Sequence, residues 1–560
     1  MERRLSGVGV APGIAIGSVY LPHAEEGPVV PEPAPPERLE LEVDAFRAAR
    51  ARAADELATL RARVQSEIGE RFAGILDAQL LILDDPAFEA EVVHRIRIGR
   101  VSARWSIQSV LGEHARRLSA VEDLYLRERG GDLDDLRRRL QRLLRVPDAD
   151  TVRRREDGPW VAVAHGLGPS DAVDLARRGV VGLATDVGGR TSHTAILAQA
   201  LGVPAVAGLR DVSRDARSGD AIIVDGDGGE VVLSPSPPTL VASTARRAAW
   251  VEREARAAAS DGAAPAHTAD GATIVLRASI EFPEEAAAAR RFGALGVGLY
   301  RSEFLFLAHA PTFPTEDEHH ATYRALAQSL APHPVVVRTL DLGGEKYFHD
   351  VLDRRETNPV LGLRAVRLCL VRPDVFRPQI RGLLRAAVEP NLRVMLPFVT
   401  APEEVREVRR LWHEEANQLR AAGQPVREDA PIGVMVEVPS AAIAADVLAR
   451  EADFLSVGTN DLIQYALAVD RGNETVSYLY RPDHPGVLRL VRCVVEAAAR
   501  RGLELSVCGE MAADPAYLPL LIGLGVRELS VQPRSLLDVR EAVARIDSVE
   551  AERAVEAALA

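Results

Sequence analysis

Lysine is almost missing from this 560-residue chain: Lys346 stands alone, and every other basic side chain is arginine. In an arginine- and alanine-biased background, a surviving lysine points either to a position where a planar guanidinium does not fit or to chance. Cysteine is scarce too. Cys369, Cys493 and Cys508 are too few for a disulfide framework, so a reducing, cytoplasmic setting is expected. Cys369 and Cys493, in the runs LRAVRLCL and LVRCVV, read as small buried hydrophobes. No apolar run approaches the ~18–20 residues of a membrane span. The opening MERRLSGVGVAPGIAIG is too rich in glycine for a signal peptide. Positive charge is in deficit, at a formal net charge of −13. That argues against general nucleic-acid binding and leaves room for a basic protein partner. What is present is ample apolar material: 47% hydrophobic residues exclude wholesale disorder and suffice for several cores.

The pattern changes character along the chain. Residues 1–30 alternate small and apolar residues with glycines, as strands and turns do, and PVVPEPAPPE then interrupts any regular element. From about Leu39 to Arg145 the pattern is helical. Leu57, Leu60, Val64, Ile68, Phe72, Ile75 and Leu76 line one helix face, Asp84-Asp85-Pro86 breaks and restarts the helix, and periodic runs follow at Val101–Leu118 and Asp132–Leu144. Trp160–Ser234 returns to short strands, with a single helix from Ser192 to about Leu201. The segment SPSPPT is a break, and a short charged helix, Ala242–Ala259, leads to the next region. The expected organisation is an α/β domain from 1–37 and 146–234, an inserted helical bundle at 38–145, a linker or hinge at 235–269 and a further domain at 270–560.

In that last domain eight apolar runs alternate with segments long enough for helices. They are Thr273–Ile280, Ala294–Tyr300, Pro334–Leu340, Leu392–Val399, Ile432–Val438, Phe454–Val457, Glu504–Val507 and Glu528–Val531. Eight β/α units in this span predict a TIM (β/α)8 barrel, with a doubly wound open sheet as the alternative. A barrel puts its chemistry at the C-terminal ends of its strands. There the sequence places Arg301-Ser302-Glu303, Arg338-Thr339-Leu340-Asp341, Glu437, Asn460-Asp461 and Cys508-Gly509-Glu510. Arg301, Arg338, Arg364 and Arg471 offer bidentate donors to phosphate or carboxylate. Glu437 and Asp461 suit a hard divalent ion such as Mg²⁺, and Asn460 adds a neutral donor. The set fits a small phosphorylated carboxylic acid. Cys508, before Gly509-Glu510, is a candidate general acid or base.

A second focus is DVGGRTSHTAILA, residues 186–198, where glycines and hydroxyls precede a helix with His193 in its first turn. A helix start attracts anions, and an unprotonated imidazole there is a candidate phosphoryl acceptor. An ordinary helix cap beside a solvent-facing histidine is the other reading, which Ser192 supports.

GGRTSHTAILAQALGVPAV resembles the phosphohistidine signature of enzyme I of the bacterial phosphotransferase system, pyruvate phosphate dikinase and phosphoenolpyruvate synthase. VRTLDLGGEK, NPVLGLRAVR, IGVMVEVPSAA, DFLSVGTNDLIQYALAVDRGN and VCGEMAAD resemble the enzyme I barrel, in order. The resemblance implies a phosphoenolpyruvate-protein phosphotransferase. His193 then carries the phosphoryl group and passes it to a histidine of the phosphocarrier protein HPr, starting sugar uptake. By motif, Arg301, Arg338, Asn460, Asp461 and Arg471 bind phosphoenolpyruvate, Glu437 and Asp461 hold Mg²⁺, and Cys508 protonates the enolate. Lys346 and Arg364 add positive charge. The inserted bundle is implied to dock HPr and the barrel domain to form a homodimer. Gly168 departs from the pattern, standing where many members have a threonine, and Ser302 replaces a commoner threonine. A dikinase needs an ATP-binding domain for which the residues before His193 leave no room. A regulatory phospho-relay of the same family with another acceptor stays as the alternative.

Overall fold

The computed structural model describes residues 2–11, 13–22, 29–67, 70–119, 124–144, 158–167, 175, 179–188, 198, 203–259, 264–309, 312–342, 358–470, 473 and 476–559. Two compact units divide the chain, Met1–Glu252 and Arg253–Ala560. The division falls inside the helix Pro237–Ala259. That helix begins earlier than expected, because Pro237 and Pro238 occupy its first turn, where a missing N–H costs nothing.

The first unit holds an eight-stranded sheet and a helical bundle. Its strands are β1 (Arg3–Ser6), β2 (Val8–Ala11), β3 (Ile14–Tyr20), β4 (Trp160–Ala164), β5 (Val180–Thr185), β6 (Ala205–Ala207), β7 (Ala221–Asp225) and β8 (Glu230–Leu233). They pair in the order β1-β8-β7-β3-β4-β5-β6-β2. The two outermost strands are neighbours in the chain, separated by Gly7 alone, so the sheet curls until its edges nearly meet. A Cβ at Gly7 would lie 2.5 Å from the Ala207 carbonyl oxygen, which explains the glycine. Strand β6 was not anticipated: three residues, Ala-Val-Ala, are too short to show alternation.

The bundle comprises α1 (Leu39–Glu67), α2 (Glu70–Asp84), α3 (Pro86–Gly99), α4 (Ala103–Ser119) and α5 (Leu124–Leu144). The apolar run 57–76, read as one helix face, is two antiparallel helices: Arg61 pairs with Asp77 across them at 2.6 Å, and Arg50 donates to the Leu83 carbonyl and to Glu89. Periodicity does not reveal a reversal that keeps the apolar face in phase. Asp85 caps α3 as expected, accepting from the Ala87 N–H at 2.8 Å. Phe46, Leu57, Leu76, Val92, Ile107 and Leu136 belong to a core separate from the sheet's.

The second unit is a closed parallel barrel. All eight anticipated runs form strands: β10 (Thr273–Ile280), β11 (Val297–Arg301), β12 (Val335–Arg338), β13 (Leu392–Leu396), β14 (Ile432–Val436), β15 (Phe454–Gly458), β16 (Glu504–Cys508) and β17 (Glu528–Val531), after a short β9 (Ala266–His267) antiparallel to β10. Each pairs with the next, and β17 pairs with β10 to close the ring. The open-sheet alternative is thereby excluded. Alternate residues face inward: Leu299, Val336, Met395, Met435, Phe454 and Cys508, one from each of six successive strands, fill the barrel. Their neighbours pack against the outer helices. One of these, Pro485–Arg501, buries Val487, Leu488, Val491 and Val494, which leaves Cys493 on the opposite, exposed face. The expected burial of Cys493 is therefore corrected, while Cys369 is buried as expected. The span 440–450 lies in two short helices, Pro439–Ile443 and Ala445–Leu448.

Candidate active site

Charged groups gather at both barrel rims, with different chemistry. At the strand starts, Arg277 pairs with Glu528 at 2.8 Å and Arg393 with Glu504, so that rim neutralises itself. The strand ends carry buried charge in excess of what simple pairs need. There β12 ends at Arg338, whose guanidinium binds Glu303 and, at 3.1 Å, Asp341. Arg364 reaches the same Asp341 at 2.9 Å and Asp461 at 3.3 Å, and donates to the Tyr465 hydroxyl at 3.0 Å. Its guanidinium lies 4.6 Å from the centroid of the Phe398 ring.

Glu437 follows β14 and is buried; it accepts the Phe398 N–H at 2.7 Å. Phe398 holds a φ of +58°, unusual for a bulky residue, and that backbone turn aims its N–H at the carboxylate. Gly458, at the end of β15, makes room for the same carboxylate: a Cβ there would lie 2.7 Å from Glu437 Oε2. Carboxylate oxygens of Asp341, Glu437 and Asp461 all lie within 4.8 Å of one another. Burial and the neighbouring Asp461 and Asp341 charges push the Glu437 carboxyl up to about 8. Three hard oxygen donors whose mutual repulsion a cation would relieve fit a divalent metal. The predicted pair, Glu437 and Asp461, thus gains Asp341. No spacing rule joined Asp341 to them, because only the closed barrel brings the end of β12 beside those of β14 and β15.

Arg301 ends β11 on the same rim and pairs with Glu281 at 2.7 Å. Asn460 sits in the first turn of the helix Thr459–Leu467, and its Oδ1 accepts the Glu510 N–H at 2.9 Å. Between Cys508 and Glu510, Gly509 has a φ of +107°, and a Cβ there would lie 2.3 Å from Thr459 Oγ1. Cys508 is buried, its Sγ 3.5 Å from the Val457 carbonyl oxygen, and burial pushes its thiol up. The thiol therefore keeps its proton at neutral pH. Two acids that the sequence placed at strand ends without a role prove central: Asp341, and Glu303, whose buried carboxyl is pushed up by burial. His193, Lys346, Arg471 and Gly168 lie outside the described residues.

Comparison with known proteins gives this rim a context. Residues 255–548 match the PEP-utilising enzyme PEP-binding domain, 6–129 the N-terminal domain and 157–229 the mobile domain of the same enzymes. The phosphoenolpyruvate-protein phosphotransferase of Bacillus sp. (strain S) is 40% identical over 559 residues, covering 100% of this chain and 96% of its own length. The chain belongs to the phosphoenolpyruvate-protein phosphotransferases. Enzymes of that name from Geobacillus stearothermophilus and Bacillus subtilis are 39% and 37% identical, each covered over 96% of its length. A solution structure of an enzyme I protein is 33% identical, covers 44% of this chain and 99% of its own, and has a TM-score of 0.36. In this phosphotransferase family member the matched PEP-binding region contains every rim residue named above. Among the described residues no helix is long and apolar enough to cross a membrane.

Proposed function

We propose that this chain transfers the phosphoryl group of phosphoenolpyruvate to its own His193 and then to a histidine of HPr, as a cytoplasmic, Mg²⁺-dependent enzyme. The observation that carries the reading is the convergence of Arg338, Arg364, Asp341, Glu437 and Asp461 on one barrel rim. Arg301, Arg338 and Arg364, with Arg471, Lys346 and Asn460 from the matching motifs, bind the phosphate and carboxylate. Phosphoryl transfer is chiefly positioning and charge neutralisation, which fixed guanidinium groups supply. Arg301, Arg338 and Arg364 are each paired with carboxylates. An anion competes for the arginines, and the freed acids turn to a cation.

Glu437 and Asp461, with Asp341 beside them, hold Mg²⁺, which supplies positive charge at the phosphoryl oxygens when bound. The His193 imidazole attacks phosphorus through Nε2, the bond from phosphorus to the enol oxygen breaks, and enolpyruvate remains. Cys508 donates its Sγ proton to the enolate carbon, giving pyruvate. The raised thiol supports this role, since a donor must be protonated before it acts. His193 and the rim belong to different compact units, so the 235–269 connector serves as the hinge that lets one visit the other. The helices of 38–145 form the HPr-docking surface, and the barrel domain forms the homodimer.

Labelled phosphoenolpyruvate with Mg²⁺, with and without HPr and beside a γ-labelled ATP control, tests this. Acid-labile label on His193 that HPr discharges, with pyruvate released, is the expected result. Label taken from ATP overturns the donor. Label that never moves to HPr identifies a regulatory relay with another acceptor.

A further inference from the structure

Behind the rim lies a buried polar relay that the reaction does not use directly. Gln379, on the helix Pro373–Ala386, is wholly buried. Its Oε1 accepts the Leu340 N–H at 3.0 Å. Its Nε2 donates to Ser302 Oγ and to the Tyr323 hydroxyl, both at 3.0 Å. The Tyr323 hydroxyl lies 2.9 Å from Nδ1 of the buried His319. One amide thus uses both its donors and one acceptor position on three elements distant in sequence. Two of those elements matter here. Ser302 lies between Arg301 and Glu303, and Leu340 lies between Arg338 and Asp341.

We infer that Gln379 is a positioning residue, holding the residue after β11 against the turn after β12, just past the paired Arg301 and Arg338, and so steadying the strand ends from which both guanidinium groups project. The inference rests on the reading of this rim as the phosphoenolpyruvate site. Three features point to the amide as a register pin. Two of its three partners, Ser302 and Leu340, lie within two residues of the substrate-binding Arg301 and Arg338. The backbone ladder between these strands ends at the pair Arg301 and Arg338, and past it the Glu303–Arg338 ion pair is a tie that an arriving anion disturbs. The pin is buried and neutral, so substrate charge does not compete for it, and it holds the strand ends while the ion pairs exchange partners.

The test uses the full chain. Phosphoenolpyruvate affinity is measured by calorimetry with Mg²⁺ for wild type, Gln379→Met, Ser302→Ala and the double variant, beside thermal melting. Asn391→Leu is the structural control, because Asn391 also makes two part-buried bonds, to the Ala327 and His333 carbonyls, but before the start of β13. Gln379→Met weakens binding about tenfold and Ser302→Ala about threefold. The double variant is no weaker than Gln379→Met, since both cut one relay. Asn391→Leu lowers the melting temperature and keeps wild-type affinity. Affinity within twofold of wild type in both single variants, or a loss in Asn391→Leu equal to theirs, overturns the positioning role. If Gln379→Met does not fold, Ser302→Ala against Asn391→Leu decides alone. A wild type that binds no phosphoenolpyruvate overturns the rim reading, and the inference with it.

Discussion

Gly509 is a tightly packed point of the rim, and its replacement by alanine has a calculable cost. The residue sits at φ +107° and ψ −179°, a region essentially closed to L side chains. Holding alanine there costs about 1–3 kcal/mol. The added Cβ would also lie 2.3 Å from Thr459 Oγ1 and 2.7 Å from Asn460 Oδ1, and relieving that overlap costs about 1–3 kcal/mol more. Thr459 donates to the Cys508 carbonyl at 2.8 Å and Asn460 accepts from Glu510, so any relief moves groups beside Cys508 and Asp461. For a unit of about 300 residues the unfolding entropy is about 0.6 kcal/mol/K, and a loss of about 4 kcal/mol lowers its melting temperature by about 6 °C. Gly502 provides the comparison. It has a φ of +65° but no described atom within 4 Å of an added Cβ, so Gly502→Ala carries backbone strain alone, about 1 kcal/mol or about 2 °C. Scanning calorimetry of both variants, with pyruvate release measured alongside, separates the terms. Gly509→Ala is expected to melt lower and to lose at least about tenfold in turnover, while Gly502→Ala keeps its activity. Equal melting of the two variants with full activity in Gly509→Ala would refute the steric reasoning.

Three further outcomes are expected. Cys508→Ala slows pyruvate formation about 100-fold and changes phosphoenolpyruvate affinity by less than about threefold; an unchanged rate removes Cys508 as the proton donor. Glu437→Ala abolishes the Mg²⁺ response of self-phosphorylation, read by titrating Mg²⁺ in single-turnover assays, and a fully Mg²⁺-responsive variant places the metal elsewhere. Burial lowers the His319 imidazole to about 3, from an ordinary value near 6.5. Between those values the unfolded chain binds a proton that the folded chain does not, so barrel stability falls as pH drops from 6.5 toward 3, by up to about 1.4 kcal/mol per pH unit, and is flat in this respect above 6.5. His319→Gln flattens that slope in denaturant titrations; an unchanged slope assigns it to other groups.

The barrel was legible because a parallel strand buried on both faces is a short apolar run, and the turn that follows carries the polar residues. Runs such as PVVVRTL and IGVMVEV therefore marked strand and rim together. Arg338, Glu437 and Asp461 were visible for that reason. Asp341 as a third carboxylate and Gln379 as a pin were not, because their importance arises from strand register and from a helix packed outside the ring. Composition has no access to either. The reversal between α1 and α2 was hidden because an antiparallel pair sharing one core preserves the spacing of a single long face. Cys493 misled because LVRCVV is apolar apart from Arg492, and only the angular position on its helix assigns the cysteine to water.

The curled sheet of the first unit has a consequence for how the chain is made. Arg3 in β1 pairs opposite Leu233 in β8, so the first strand synthesised waits for the last. At about 5–20 residues per second, that wait is roughly 10–50 seconds of translation. Throughout it β1 has no partner, while the bundle of α1–α5, with a core of its own, emerges and gathers in between. Premature release or truncation ahead of β7 and β8 would leave β1 and β3 as open edges seeking any other strand. The wait is therefore the interval in which this sheet is open to a wrong neighbour.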